Sequence, residues 1–193
     1  MTQLSIKVGD THITIDAAAR LTINPKHHEP VSLEAHRAAV AESMLAAGHR
    51  FTRVLGDGTY LQADSPRTDH VAVIDNTTGL MWSVESLGDP ADEDDGITQE
   101  HCIERCRQLR LLGHDDWRLP TRAELAGLVD DTRHEPAIDT TAFPRVKARW
   151  HWTSTPAAWC SSAAWGVVFN GGGVLGYRRS SDGFALAVRR SGQ

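Results

Sequence analysis

Apolar and polar residues alternate from the start of the chain. Leu4-Ser5-Ile6-Lys7-Val8 and Ile13-Thr14-Ile15 carry the two-residue period of half-buried strands, with Gly9-Asp10 as a turn pair between them. The pattern predicts a hairpin, ended by Asn24-Pro25. From Ser32 to Ala47 the chain is alanine-rich with a modest apolar stripe of Leu33, Val40, Met44 and Leu45, which predicts a helix capped by Ser32 and stopped by Gly48. Phe51 to Tyr60 reads as a second hairpin with Gly56-Asp57-Gly58 at its tip. Val71–Asp75, Asn76–Gly79 and Leu80–Trp82 then read as strand, turn, strand.

The period changes after Thr98. Ile103, Cys106, Leu109 and Leu112 recur at three-residue steps with Cys102 on the same side, which predicts a helix over Thr98–Leu112 that Gly113 ends. Thr121-Arg122-Ala123-Glu124 is a capping box: the Thr hydroxyl accepts from the Glu N–H while the Glu side chain reaches back. It opens a helix whose inward residues are Leu125, Leu128 and Val129. After Pro144 the pattern returns to strands at Trp150–Ser154, Ala164–Phe169 and Phe184–Arg189. All six tryptophans lie between Trp82 and Trp165. That shift divides the chain into an N-terminal hairpin and helix over 1–65, suited to assembly or attachment, and a second domain over 66–193.

Composition narrows the class. The 193 residues are 40% hydrophobic and 23% charged, which fits a globular protein and not a disordered one. A net charge of −5 argues against a nonspecific grip on nucleic acid or an anionic membrane. The longest uncharged run, Trp152–Tyr177, is too broken by Pro, Ser and Gly to span a bilayer. No basic leader precedes an apolar stretch, so the expected location is the cytoplasm of the producing cell, or a virion.

Candidate chemistry is sparse. Cys102, Cys106 and Cys160 make no disulfide framework; the first two read as buried thiols on one helix face, and the third stands alone. The acidic run Asp89–Gly96 invites calcium, but the EF-hand frame would put Ala91 and Cys102 where carboxylates are required, so it reads as a solvated loop. His27-His28-Glu29 reads as surface, His151 as a strand residue, and Ser161-Ser162 lack a nucleophile elbow. The expectation is a noncatalytic protein without cofactor or metal.

An ordered series of motifs adds to this reading. Asp75-x3-Gly79-Leu80-Met81-Trp82, Asp116-Trp117-Arg118-Leu119-Pro120-Thr121 with Glu124-Leu125, Phe143-Pro144, Trp152-Thr153-Ser154-Thr155, Ala164-Trp165-x-Val167-x-Phe169 and Val188-Arg189 together resemble the Lcl C-terminal-like domain family over roughly 70–190. The resemblance implies an α+β, C-type-lectin-like fold of two helices with small twisted antiparallel sheets. Within it Trp117, Leu119, Trp165 and Phe169 take core positions and Arg118 pairs. Relatives carry a cysteine near the final valine–arginine steps that pairs with one on the first helix. Here Leu186-Ala187-Val188-Arg189 has none, which fits a reducing compartment.

The resemblance also places a ligand face late in the chain. Trp159, Tyr177, Arg178, Arg179, Asp182 and Phe184 are the candidate recognition residues, set among Gly and Ser that let loops adapt. The segment is similar to the variable region of diversity-generating-retroelement targets. The expected function is recognition of a protein or glycan, in a phage tail or host-attachment protein or a diversified display protein. A homo-oligomer through the N-terminal region is a further expectation. An intracellular phage-encoded inhibitor or effector that binds a bacterial protein is the alternative. A formylglycine-generating-type oxidase ranks lower, because Cys160 has no second thiol beside it in sequence.

Overall fold

The computed structural model describes residues 4–8, 11–15, 21–25 and 32–192. The chain forms two compact units, 1–36 and 37–193. In the first, β1 (Leu4–Val8), β2 (Thr11–Ile15) and β3 (Leu21–Pro25) make an antiparallel sheet in that order. The expected hairpin is present, with Leu4 opposite Ile15, and a third strand follows it. Asn24-Pro25 does not break the sheet: Pro25 is the last residue of an edge strand, a position that tolerates proline. Gly9-Asp10 and His27-His28-Glu29 lie outside the described residues.

Helix α1 spans Leu33–Ala46. The Ser32 Oγ accepts from the Ala35 N–H at 3.1 Å, and the His49 N–H closes the other end on the Met44 carbonyl. Gly48, at φ +71°, supplies the left-handed step this closure needs. Val40 and Met44 are buried.

The second unit is α+β. β4 (Phe51–Val54), β5 (Ala72–Asp75), β6 (Leu80–Ser83) and β10 (Val188–Arg190) form an antiparallel sheet in the order β10-β6-β5-β4. β7 (Trp150–Pro156), β8 (Ala163–Val168) and β9 (Gly173–Arg178) form a second. The stretch from Phe51 to Tyr60 is less than the expected hairpin: the ladder partner of β4 is β5, and Tyr60 reaches Val54 through a single bridge. The loop beyond is organised by a side chain. The Arg53 guanidinium donates to the carbonyls of Gln62, Ala63, Ser65 and Arg67 at 2.7–3.3 Å.

Helix α2 (Gln99–Gln108) is capped by Thr98, the first residue of the expected helix, and stops short of Leu112. Leu109 is already extended, and a short 3-10 turn covers Leu111–Gly113 with Leu112 at φ +56°. Arg110 folds back onto the Arg107 and Leu109 carbonyls, and the Trp117 indole N–H holds the Leu111 carbonyl. Those bonds satisfy carbonyls that a longer helix would have satisfied itself. Helix α3 (Arg122–Ala126) opens with the full capping box. Arg118 adds a two-pronged ion pair to Glu124, at 2.6 and 2.9 Å.

The β10-β6-β5-β4 sheet is buried on both faces, and β7 and β8 of the second sheet pack against it, so the unit has two apolar cores. Val73, Leu80, Trp82, Leu125, Val167, Phe169, Leu186 and Val188 fill one. Ala72, Ile74, Met81, Cys102, Cys106, Trp117, Leu119, Trp152, Ala185 and Ala187 fill the other. Consecutive residues of β5, of β6 and of the 185–188 segment divide between the two, as strand alternation requires. Trp117, Leu119 and Phe169 take the core positions the motif series assigns, while Trp165 is only half-buried.

Candidate binding surface

Register settles which residues of the β7-β8-β9 sheet share a face. Trp152 stands opposite Gly166, and Gly166 opposite Leu175; His151 stands opposite Val167, and Val167 opposite Val174. Trp150, Trp152, Ala164, Gly166, Leu175 and Tyr177 therefore share the face toward α2. His151, Trp165, Val167, Val174, Gly176 and Arg178 share the face toward α3. The assignment agrees with the packing, because Trp152 and Ala164 sit with Cys102, and Val167 with Leu125.

That alternation separates the candidate recognition residues. Tyr177 lies on the α2 face, its ring stacked on Trp150 with centroids 3.9 Å apart. Arg178 lies on the opposite face. Arg179 is beyond the strand, in a groove shared with Gln99, Glu100, His101 and Glu104 of α2. Asp182 is exposed on the following loop. Phe184 is 1% exposed, with its ring beside His151 and beneath Lys147 and Arg149. That residue is thus a core element and is corrected out of the surface set: its segment runs alongside β7, with its N–H and C=O bonded to Trp150 and Trp152, and this turns the ring inward.

Trp159 is 66% exposed in the β7–β8 turn. Its indole lies on Gly176: a Cβ there would be 2.8 Å from Cζ2, so any larger residue would push the ring out of this position. It also meets Trp165 edge-on at 5.0 Å, and the Arg122 guanidinium covers Trp165 at 4.4 Å from the ring centroid. Leu175, 53% exposed, projects from the other face of β9. Sequence reasoning missed Leu175 and Arg122. Val174-Leu175 breaks the alternation that marks a strand, and Arg122 sits inside a capping box that accounts for its neighbours. The uncharged run Trp152–Tyr177 was the available signal for Leu175.

The outer edge of β9 has no strand partner among the described residues. The Arg179 N–H donates to the Ser162 carbonyl at 2.9 Å, which fixes the alternation of the ladder. Bonded pairs then fall at 164/177, 166/175 and 168/173; the N–H and C=O groups of Val174 and Gly176 and the N–H of Arg178 point outward, while the Arg178 carbonyl accepts the Ser181 N–H at 2.9 Å. Gly172 and Gly173 border the strand at one end, and Arg178 and Arg179 at the other. Asp131 and Glu135 lie near the glycine end; Glu135 is bonded to Asn170 through side chain and backbone.

Other reactive groups differ in setting. Cys102 and Cys106 are buried thiols whose protonated form burial favours; Cys106 is pushed up to about 12. His151 is fully buried, its Nε2 2.7 Å from the Ser86 Oγ and its Nδ1 3.1 Å from the Arg149 carbonyl. Burial lowers its pKa to about 4, so the imidazole is neutral at pH 7. Ser86 also accepts the Lys147 N–H, and the pair is closed in by Phe169 and Phe184. Cys160 is exposed, and hydrogen bonds from Ser162 favour its thiolate. The acidic run forms a loop closed by the Asp89 N–H on the Asp95 carbonyl, with Lys147 on Asp94 at 2.7 Å.

Comparison with curated proteins gives no match to this chain. The family profile described as the Lcl C-terminal domain matches residues 71–189, which covers β5 through the start of β10 and every residue of the surface around Trp159. The chain belongs to the Lcl C-terminal domain family.

Proposed function

We propose that the chain is a noncatalytic binding module with a C-type-lectin-like fold, and that it engages a protein ligand at the surface around β9 and the Trp159 turn. One observation carries this reading. A large aromatic side chain lies in solvent against Gly176 and Trp165, with Arg122 over Trp165, Arg178 on the same face and Leu175 exposed on the other face of β9. Exposed Trp and Arg on a preformed frame cost little entropy to immobilise and dominate protein contacts. The buried setting of Cys102, Cys106 and the Ser86–His151 pair also favours a frame over an active centre. Host attachment by a phage tail, or display of a diversified surface, is a setting that suits such a module.

The test is capture from lysates and on a glycan array with Trp159→Ala and Leu175→Asp beside the native chain. The expected result is a protein captured by the native chain and lost by both variants at unchanged melting temperature. Glycan binding that depends on Trp159 would replace the protein reading by the sugar one. Capture indifferent to both substitutions would overturn the assigned surface.

A further inference from the structure

We propose that the outer edge of β9 is completed by an extended segment of a protein partner in which acidic and apolar residues alternate. The inference rests on the binding role proposed above and adds the mode and chemistry of the ligand. Val174 and Gly176 offer both donor and acceptor outward in strand geometry, and Arg178 adds its N–H, its carbonyl being held by the Ser181 N–H. An added strand carries side chains with a two-residue period, so they fall in turn on the two faces of β9. The faces differ. Trp159, Trp165, Arg122 and Arg178 share the α3 side, and among the described residues neither arginine forms an ion pair. Carboxylates arriving there meet two guanidinium groups beside an aromatic pair. Leu175 and Tyr177 share the α2 side, where apolar residues arrive on partly exposed apolar surface. Asp131 and Glu135 at the glycine end disfavour acidic residues there, so the ligand's carboxylates concentrate alongside Arg178. A second copy paired in parallel along β9 would bring Arg178 against its counterpart, whereas one paired antiparallel would set it toward Asp131 and Glu135 and is distinguished by the concentration-dependent dimer it would form.

The experiment uses the full chain and an acetylated, amidated octapeptide of alternating Val and Glu, read by fluorescence anisotropy. The controls are the same peptide with Lys for Glu, and a Val/Glu peptide N-methylated on alternate residues, in both registers. Binding of the Val/Glu peptide should be at least tenfold tighter than that of the Lys version. It should weaken about tenfold with Arg178→Glu and on N-methylation in one register only. Arg122→Glu supplies a second charge variant should Arg178→Glu unfold the chain. No binding at millimolar peptide, equal binding of the Lys peptide, or indifference to both N-methylated registers would overturn the proposal. So would a concentration-dependent dimer dissolved by Leu175→Asp, which would give the edge to a second copy. If Trp159-dependent capture persists while the octapeptide fails, the surface stands and the edge mode falls. If both fail, both fall.

Discussion

At the scale of single residues, burial decides chemistry. His151 is neutral in the folded protein, with a pKa near 4, against about 6.5 for an unfolded chain. Between these values the unfolded state binds a proton that the folded state refuses, so stability is full above about pH 6.5 and falls as acid is added. The expected slope is about 1.4 kcal/mol per pH unit between roughly pH 6 and pH 4. Urea titrations of the native chain and of His151→Gln across that window should differ by this slope. His70 shifts the same way, because burial outweighs its bond to the Ala142 carbonyl, and keeps a slope of the same sign in the variant. Gly96 makes a second point. A Cβ there would stand 2.7 Å from the Gly183 nitrogen and 2.8 Å from the Asp182 carbonyl carbon, both backbone atoms that cannot swing aside. Gly96→Ala should cost about 1–3 kcal/mol in thermal unfolding, since overpacking forces the two segments apart. Nothing in the residue string around Asp89–Gly96 announces this contact, since its partner lies 87 positions away along the chain.

At the scale of elements, what was legible had a local cause. The caps of α1 and α3 follow from Ser32 and Thr121, whose side chains accept backbone N–H groups three residues on, as Thr98 also does for α2. The strands β5 to β8 follow from apolar runs between turn residues. The end of α2 was not legible, because Arg110 and the Trp117 indole replace carbonyl partners from outside the helix. Nor was the separation of Tyr177 from Arg178 by strand alternation, because the glycines of β9 hide its period. Phe184 misled for a related reason: its loop neighbours are polar and flexible, while its backbone is fixed to β7. The five-residue α3 depends most on local chemistry. Glu124 serves the capping box and Arg118 together, and its pKa is held down to about 2, first by Arg118. Thr121→Ala should lower stability by about 1 kcal/mol. Glu124→Gln should lose the ion pair yet retain one box bond, and its penalty relative to the native chain should shrink as pH falls from about 4.5, where the unfolded chain's glutamate takes up a proton, toward about 2, where the folded carboxylate does. Chemical denaturation at pH 7 and pH 3 measures both.

At the scale of the whole molecule, the division at His36–Arg37 separates a three-stranded sheet from a unit with its own two cores. A chain that begins at residue 32, retaining the Ser32 cap, should melt within about 2 °C of the main transition of the full chain. A large downward shift in calorimetry would mean that the second unit draws stability from residues outside it. Within that unit, the grip of Arg53 on Gln62, Ala63, Ser65 and Arg67 has a consequence for how the protein can change. The guanidinium reads only main-chain oxygens, which every amino acid supplies. Substitutions along that loop can therefore alter its outward character freely, while the path it follows stays pinned from beneath. A lysine at position 53, with one compact ammonium in place of a planar fork, would release the loop without a single change in the loop itself.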